Sequence, residues 1–106
     1  RLGLDIANNE GTKIIAPLNG RVIFVGNLFY KGNNIILDHG NGFLSSYSHL
    51  NEIFVNENEY LEKGQLIGTV GSSGRVTGPH LHFEIFIKGR RIDPEGLISE
   101  LQSLDY

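Results

Sequence analysis

The 106-residue chain contains no cysteine, and this absence limits the chemistry that the protein can perform. Disulfide scaffolds, thiol catalysis and zinc sites built on thiolates are excluded. Any metal ion must therefore be held by carboxylates and imidazoles, and the chain has four histidines, which are His39, His49, His80 and His82.

Long apolar runs and an excess of basic residues are also missing. The longest apolar run, residues 22–25, is far shorter than the roughly 20 residues that a membrane-spanning helix needs. No signal-peptide pattern is present. Nine basic and twelve acidic residues give a formal net charge of −3. This balance disfavours a nucleic-acid surface, because phosphate binding needs clustered Lys and Arg.

Length and starting residue bear on domain organisation. A chain of this size corresponds to one domain, so we expect a single domain over residues 1–106. Because the chain begins with Arg1 and not with Met, we expect this domain to be excised or processed from a longer protein. Missing targeting signals therefore carry no information about its compartment.

Short runs of β-forming residues, separated by turns that the fourteen glycines and three prolines supply, predict a mainly β, antiparallel domain. Residues 13–16 and 21–25 predict one hairpin, joined by a turn that contains Pro17 and Gly20. Residues 34–39 and 43–49 predict a second hairpin around a glycine turn. Residues 94–104 predict a short C-terminal helix, since their apolar residues recur at helical spacing and Asp93 can cap the first turn.

Residues 80–88 form the most informative predicted strand. Side chains alternate along a strand, so we expect one face to join the core and the other to carry polar groups. The core face has Leu81, Phe83, Ile85 and Ile87, and the other face has His80, His82, Glu84 and Phe86. A His-x-His pair on a strand can present one metal ligand and one catalytic imidazole, although paired histidines on an exposed face are often only solvated. Glu84 is either an orienting partner of these rings or a solvated carboxylate, and His39 is interpreted as a turn residue.

Four segments carry a more specific signal. They are residues 32–42 (GNNIILDHGNG), 47–50 (YSHL), 63–68 (KGQLIG) and 74–84 (GRVTGPHLHFE). In this order and spacing they resemble the M23 peptidases, the lysostaphin and LytM type zinc endopeptidases that cut peptide cross-links in bacterial peptidoglycan. The resemblance extends from Arg1 to about Ile98. It implies an antiparallel sheet of the barrel-sandwich type with a short C-terminal helix, and a location outside the cytoplasm, in the periplasm or cell envelope of a bacterium.

The resemblance also implies roles for individual residues. Asp5 and His82 match metal ligands of the family, and His49 and His80 match its two catalytic imidazoles. The implied cofactor is Zn²⁺, which lowers the pKa of a bound water and polarises the scissile carbonyl. The two catalytic imidazoles would orient that water, move protons and stabilise the oxyanion.

One position departs from the family pattern. The first zinc ligand of the family is a histidine four residues before the aspartate, and here this position is Arg1. Arginine stays protonated and has no lone pair to offer a metal. We therefore predict that Arg1 pairs with Asp5 in place of the metal and that the domain is a pseudoenzyme. The alternative is weak zinc binding through Asp5, His82 and waters.

Two functions remain open at this point. The first is a degenerate, non-catalytic domain that acts as a binding or regulatory partner in cell-wall remodelling or cell-shape control. The alternative is an active zinc metalloendopeptidase that cleaves peptidoglycan cross-links. The implied partners are peptidoglycan peptides and another envelope protein, such as an active M23 relative or an amidase. We expect a groove between residues 27–32 and 71–79, with Phe29 and Tyr30 on the first loop, to take an extended peptide.

Overall fold

The computed structural model describes residues 4–74 and 78–93, with the backbone alone for residues 4–6. The described residues form nine strands in one sheet, and the neighbouring strands of this described part pair antiparallel. The strands are β1 Leu4–Ala7, β2 Lys13–Ile15, β3 Gly20–Leu28, β4 Gly32–Asp38, β5 Phe43–Ile53, β6 Tyr60–Leu61, β7 Leu66–Val70, β8 His80–Ile87 and β9 Arg90–Ile92.

The central part of the sheet runs in the order β1-β8-β5-β4-β3-β6. Strand β7 pairs with both β2 and β5, and β9 pairs with β8. The predicted hairpin of β4 and β5 is confirmed, with Leu37 opposite Ser45. The glycine turn therefore sets the register of the two strands that lie at the middle of the sheet.

The predicted hairpin of β2 with β3 is wrong. Strand β2 pairs with β7, with Lys13 opposite Thr69, and β3 pairs with β4 and β6. Ala16 shows why, since its N–H donates to the Gln65 carbonyl at 2.8 Å and its carbonyl accepts from the Gly64 N–H at 2.8 Å. Both backbone groups at the end of β2 are thus used by the turn before β7, and the following turn only carries the chain across to β3.

The apolar core lies on one side of strands β4, β5 and β8. Ile35, Leu37 and Tyr47 are almost fully buried there, and Leu81 of β8 packs with them as predicted. Burial of an aliphatic side chain of this size stabilises a fold by about 1.5–3 kcal/mol. Because this face of the sheet is apolar, the polar residues at alternate positions of the same strands project to the opposite face.

The predicted C-terminal helix of residues 94–104 lies outside the described residues. Among residues 4–74 and 78–93, no helix is long and apolar enough to cross a membrane. The predicted fold class, mainly β and antiparallel, is confirmed.

Candidate functional site

His49 lies in the half of β5 that is farther from His39, in a strained backbone conformation. Its φ of 65° lies in the left-handed region, which costs a non-glycine residue about 1 kcal/mol or more. Two hydrogen bonds hold it there: its backbone N–H donates to the Lys31 carbonyl at 2.7 Å, and its ring Nδ1 lies 2.8 Å from the Ser73 carbonyl. Since a carbonyl only accepts, Nδ1 carries the proton, and in the neutral ring Nε2 carries the lone pair.

Strand β8 brings two more histidines to the same place. His80 and His82 project from one face of β8, as the alternation predicted, and the Nδ1 of His80 lies 3.0 Å from the Gly78 carbonyl. The ring centroid of His49 is 4.9 Å from that of His80 and 6.1 Å from that of His82. We call these three residues the histidine cluster.

Strand β1 adds Asp5 to this edge of the sheet. The β1–β8 register places Asp5 directly opposite His82. The backbone therefore brings position 5 beside His82. The Asp5 side chain and the whole of Arg1 lie outside the described residues.

The described side chains alone do not form a site for a catalytic zinc ion. Such an ion needs three protein ligands and an open position for water. Within the described side chains no group of three His, Asp or Glu residues could hold a metal. Of the two ligands that the resemblance implies, the structure describes His82 in full and only the backbone of Asp5.

Glu84 is a buried carboxylate, and the expectation of a solvated one is wrong. Its side chain is 2% exposed, with Oε1 2.6 Å from Lys31 Nζ and 3.7 Å from His82 Nε2. Its other oxygen, Oε2, lies 3.2 Å from Arg91 Nη1. Burial raises the pKa of Glu84, but the hydrogen bond and charge of Lys31 and the hydrogen bond from Arg91 outweigh it, so the pKa falls below its ordinary value. Glu84 is therefore ionised at neutral pH.

Sequence reasoning missed both cationic partners of Glu84. Arg91 could have been found, because the tight turn at Lys88 and Gly89 pairs β8 with β9 and sets Arg91 opposite Phe86, on the Glu84 face. No local pattern points from Lys31 to Glu84, since 53 residues separate them in the chain.

Asn34 lies beneath the histidine cluster. Its side chain is fully buried, and Nδ2 donates to the Tyr47 carbonyl at 2.8 Å and lies 3.1 Å from the hydroxyl oxygens of Ser46 and Ser48. These two serines stand opposite Glu84 and His82 in the β5–β8 register. In the described part of the chain, Asn34 Oδ1 is a buried acceptor without a hydrogen-bond partner. The floor of the site is therefore polar and fixed by side-chain hydrogen bonds.

The two loops beside the cluster touch each other, backbone to backbone. A Cβ on Gly32 would clash with the Ser73 carbonyl group, and a Cβ on Gly74 would lie 2.5 Å from the Gly32 nitrogen. Ser73 Oγ also donates to the Leu50 carbonyl at 2.6 Å. At this point the loops form one wall and not the two sides of the expected groove. Phe29 and Tyr30 precede Gly32 on the first loop and are 69% and 66% exposed. Their rings are in edge contact, with the ring centroids 4.8 Å apart.

His39 lies at the other end of β5, in the predicted turn. Its Nδ1–H donates to the Asn19 carbonyl at 2.8 Å, so the neutral Nε2 accepts from the Ser45 hydroxyl at 2.6 Å. The Tyr47 hydroxyl lies 2.8 Å from Ser45 Oγ. Burial raises the pKa of Tyr47 far above its usual range, only partly offset by the hydrogen bond with Ser45, so Tyr47 stays protonated and donates.

A shallow cavity of about 310 Å³ adjoins His39 and is separate from the histidine cluster. Its charged side chains are already used within the protein: Arg21 Nη1 donates to the Asn58 carbonyl at 2.7 Å, and Asp38 Oδ1 accepts from the Gly40 N–H at 2.8 Å. The histidine cluster is therefore the better candidate for the functional site.

Comparison with known proteins identifies the family and supports the fold. The family model described as Peptidase family M23 matches residues 1–94. The chain belongs to peptidase family M23. The predicted resemblance is thereby confirmed, and the four segments that carried it contribute to β4, β5, β7 and β8.

Individual M23 proteins show how close the likeness is. The chain is 40% identical over 91 residues to the peptidoglycan DD-endopeptidase ShyA of Vibrio cholerae, covering 86% of this chain and 21% of ShyA. It is 43% identical over 93 residues to the murein hydrolase activator NlpD of Escherichia coli, covering 87% and 24%. The solved catalytic domain of lysostaphin from Staphylococcus simulans superimposes with a TM-score of 0.85 at 33% identity, covering 93% of this chain and 79% of that one.

The chain spans about a fifth to a quarter of the length of these two curated relatives. One of them is described as an endopeptidase and the other as an activator of hydrolases. Membership of the M23 family therefore does not by itself decide whether this domain is catalytic.

Proposed function

We propose that this chain is a degenerate, non-catalytic M23 domain that acts as a binding or regulatory partner in cell-wall remodelling or cell-shape control. The proposal rests on one observation: Arg1 occupies the position four residues before Asp5, where the family has its first zinc ligand. Residues 1–106 as a single domain are part of the same proposal.

The chemistry of the remaining residues supports a metal-free site. Asp5 lies opposite His82 in the sheet, so the two proposed ligands are adjacent. A guanidinium at position 1 repels a divalent cation and attracts the Asp5 carboxylate. Two ligands rarely hold zinc tightly, since affinity depends on the complete set and on the groups around it. In this proposal Arg1 pairs with Asp5, and the domain folds without zinc.

The likeness to NlpD supports a regulatory role, because that relative is described as a murein hydrolase activator. We propose peptidoglycan peptides and another envelope protein, such as an active M23 relative or an amidase, as partners. The corresponding location is outside the cytoplasm, in the periplasm or cell envelope of a bacterium; relatives described as lipoproteins support it.

A second candidate function is an active zinc metalloendopeptidase that cleaves peptidoglycan cross-links. One observation favours it: the ring centroid of His49 lies 4.9 Å from that of His80 and 6.1 Å from that of His82, although Arg1 stands at the position of the first family ligand. In this alternative Asp5 and His82 bind Zn²⁺ with waters, and His49 and His80 are the catalytic imidazoles. The likeness to ShyA, described as a peptidoglycan DD-endopeptidase, supports it.

Metal analysis decides between the two functions. The purified chain is analysed for zinc and then incubated with isolated peptidoglycan, before and after addition of Zn²⁺. We expect substoichiometric zinc and no release of peptide fragments in either condition. Stoichiometric zinc together with zinc-dependent release of fragments would establish the endopeptidase and overturn the proposal.

A further inference from the structure

Lys31 brings a permanent positive charge to the histidine cluster. Its carbonyl accepts the His49 N–H at 2.7 Å, and its Nζ lies 2.6 Å from Glu84 Oε1. The same carboxylate oxygen lies 3.7 Å from His82 Nε2. Lys31 is thus bonded to His49 through its backbone, and its ammonium group shares the Glu84 oxygen with His82.

Arg91 brings a second positive charge to the same carboxylate. Its Nη1 lies 3.2 Å from Glu84 Oε2, so each Glu84 oxygen has its own cation. The Lys31 and Arg91 side chains are 40% and 48% exposed, whereas Glu84 is 2% exposed. Lysine has three donor hydrogens and guanidinium has five. Both cations therefore keep donors that face solvent after they have bound Glu84.

The charge balance favours an anion at this place. Lys31 and Arg91 bring two positive charges to the one carboxyl group of Glu84. The negative charge is buried and the positive charges are half-exposed, so an approaching molecule meets the cations first.

From this geometry we infer that the site binds the free α-carboxylate at the C-terminal end of a peptide. Charge-assisted hydrogen bonds from ammonium and guanidinium groups to carboxylates are among the strongest in proteins. Phe29 and Tyr30, one and two positions before Lys31, expose aromatic surface that suits the apolar side chain of a terminal residue. An inorganic anion would use the cations but not these rings. The inference rests on the proposed function, because it assumes a site without a metal ion.

The test compares a peptide acid with its amide. Chain treated with EDTA, and verified to be metal-free, is titrated with acetyl-Ala-Ala and with acetyl-Ala-Ala amide by calorimetry or NMR. We expect the acid to bind at least about tenfold more tightly than the amide, the usual size of a charge-assisted hydrogen bond. Lys31→Gln should remove this preference, and Lys63→Gln, which deletes an exposed lysine in the turn before β7, should keep it.

Several outcomes would overturn the inference. Equal binding of acid and amide, no binding of either, or the same result for Lys31→Gln and Lys63→Gln would each do so. Displacement of the acid by inorganic phosphate at lower concentration would exclude a peptide-specific site. Arg91→Gln gives a second variant in case Lys31→Gln does not fold, and thermal unfolding checks the folding of each. Stoichiometric zinc in the untreated chain would overturn the proposed function alone, whereas a zinc-free chain without acid preference would overturn only this inference.

Discussion

The two ends of β5 hold their histidines in different ways. At one end, His39 Nε2 bonds to the Ser45 hydroxyl, which in turn bonds to the buried Tyr47 hydroxyl. At the other end, the Nδ1 atoms of His49 and His80 bond to backbone carbonyls of Ser73 and Gly78. The first arrangement depends on a particular side chain. The second depends on the path of the loops and not on which side chains the loops carry.

The largest expected effect comes from placing a histidine at position 1, where the proposed function has a zinc ligand missing. Arg1→His should complete a donor set of three ligands with Asp5 and His82 and raise the zinc affinity by more than about 100-fold. Residues that only hydrogen-bond to a metal ligand change the affinity by up to about 100-fold, and a direct ligand should contribute more. The measurement is a competition titration with a chromogenic chelator. Arg1→Lys is the matched control, since it keeps the charge and offers no ligand at neutral pH. Equal zinc affinity of the two variants would show that the site is not arranged as the family pattern implies.

The next largest effect is expected at His39, whose ring is held by a side-chain hydrogen bond. Ser45→Ala should lower the free energy of unfolding by about 2 kcal/mol, because it leaves the buried Tyr47 hydroxyl and one His39 nitrogen without their partner. Urea unfolding measures the loss. Ser72→Ala removes an exposed hydroxyl with a 3.3 Å contact to Glu10, and it should change stability by less than about 0.5 kcal/mol. Similar losses in both variants would mean that the network at His39 contributes little.

A serine-to-alanine substitution beside His49, whose ring is held by a backbone carbonyl, should act differently. Ser73→Ala removes the hydroxyl that bonds to the Leu50 carbonyl and to the Asn33 N–H, which should cost about 1 kcal/mol. The carbonyl of residue 73 remains, so His49 should keep its proton on Nδ1. ¹⁵N chemical shifts of the imidazole report the tautomer. A change of tautomer in this variant would contradict the distinction between the two ends.

The smallest effect is the pH dependence that Glu84 gives to stability. Its pKa is lowered in the folded protein, so the ion pairs with Lys31 and Arg91 stabilise the fold above the ordinary glutamate pKa of about 4.3. This contribution should disappear as the pH falls through the folded-state pKa. Because both cations are half-exposed, we expect less than about 1 kcal/mol.

Thermal unfolding of the native chain and of Glu84→Gln between pH 3 and pH 7 measures this contribution. The native chain should be more stable than Glu84→Gln at neutral pH. The difference in stability between the two proteins should become smaller toward acid pH. Glu62→Gln is the control at an exposed position. A difference that stays constant with pH would mean that Glu84 acts by packing and not by charge.

Local patterns predicted those parts of the fold in which neighbours in sequence are neighbours in space. The alternation along β8 assigned Leu81 to the core and His82 to the opposite face, and the glycine turn gave the β4–β5 hairpin. The pairing of β2 with β7 was missed because about 50 residues separate the two strands, and a turn signal alone does not say which strand the next segment joins.

The same distinction applies to the site. The His-x-His spacing placed His80 and His82 side by side, and the family resemblance brought His49 to them. The contact of Lys31 with Glu84 depends on the approach of a distant loop, and the carbonyl that orients His49 belongs to the backbone, which has the same chemistry in every residue. Neither contact can therefore be recognised from the residue types in the sequence.

The close contact of Gly32 and Gly74 has a consequence for protein engineering. The two loops meet where neither can accept a Cβ atom, so the position of one determines the position of the other. Exchanging a single loop for that of a related enzyme would separate surfaces that fit only each other. Transplants intended to change which molecules reach the histidines must therefore replace both loops as a matched pair.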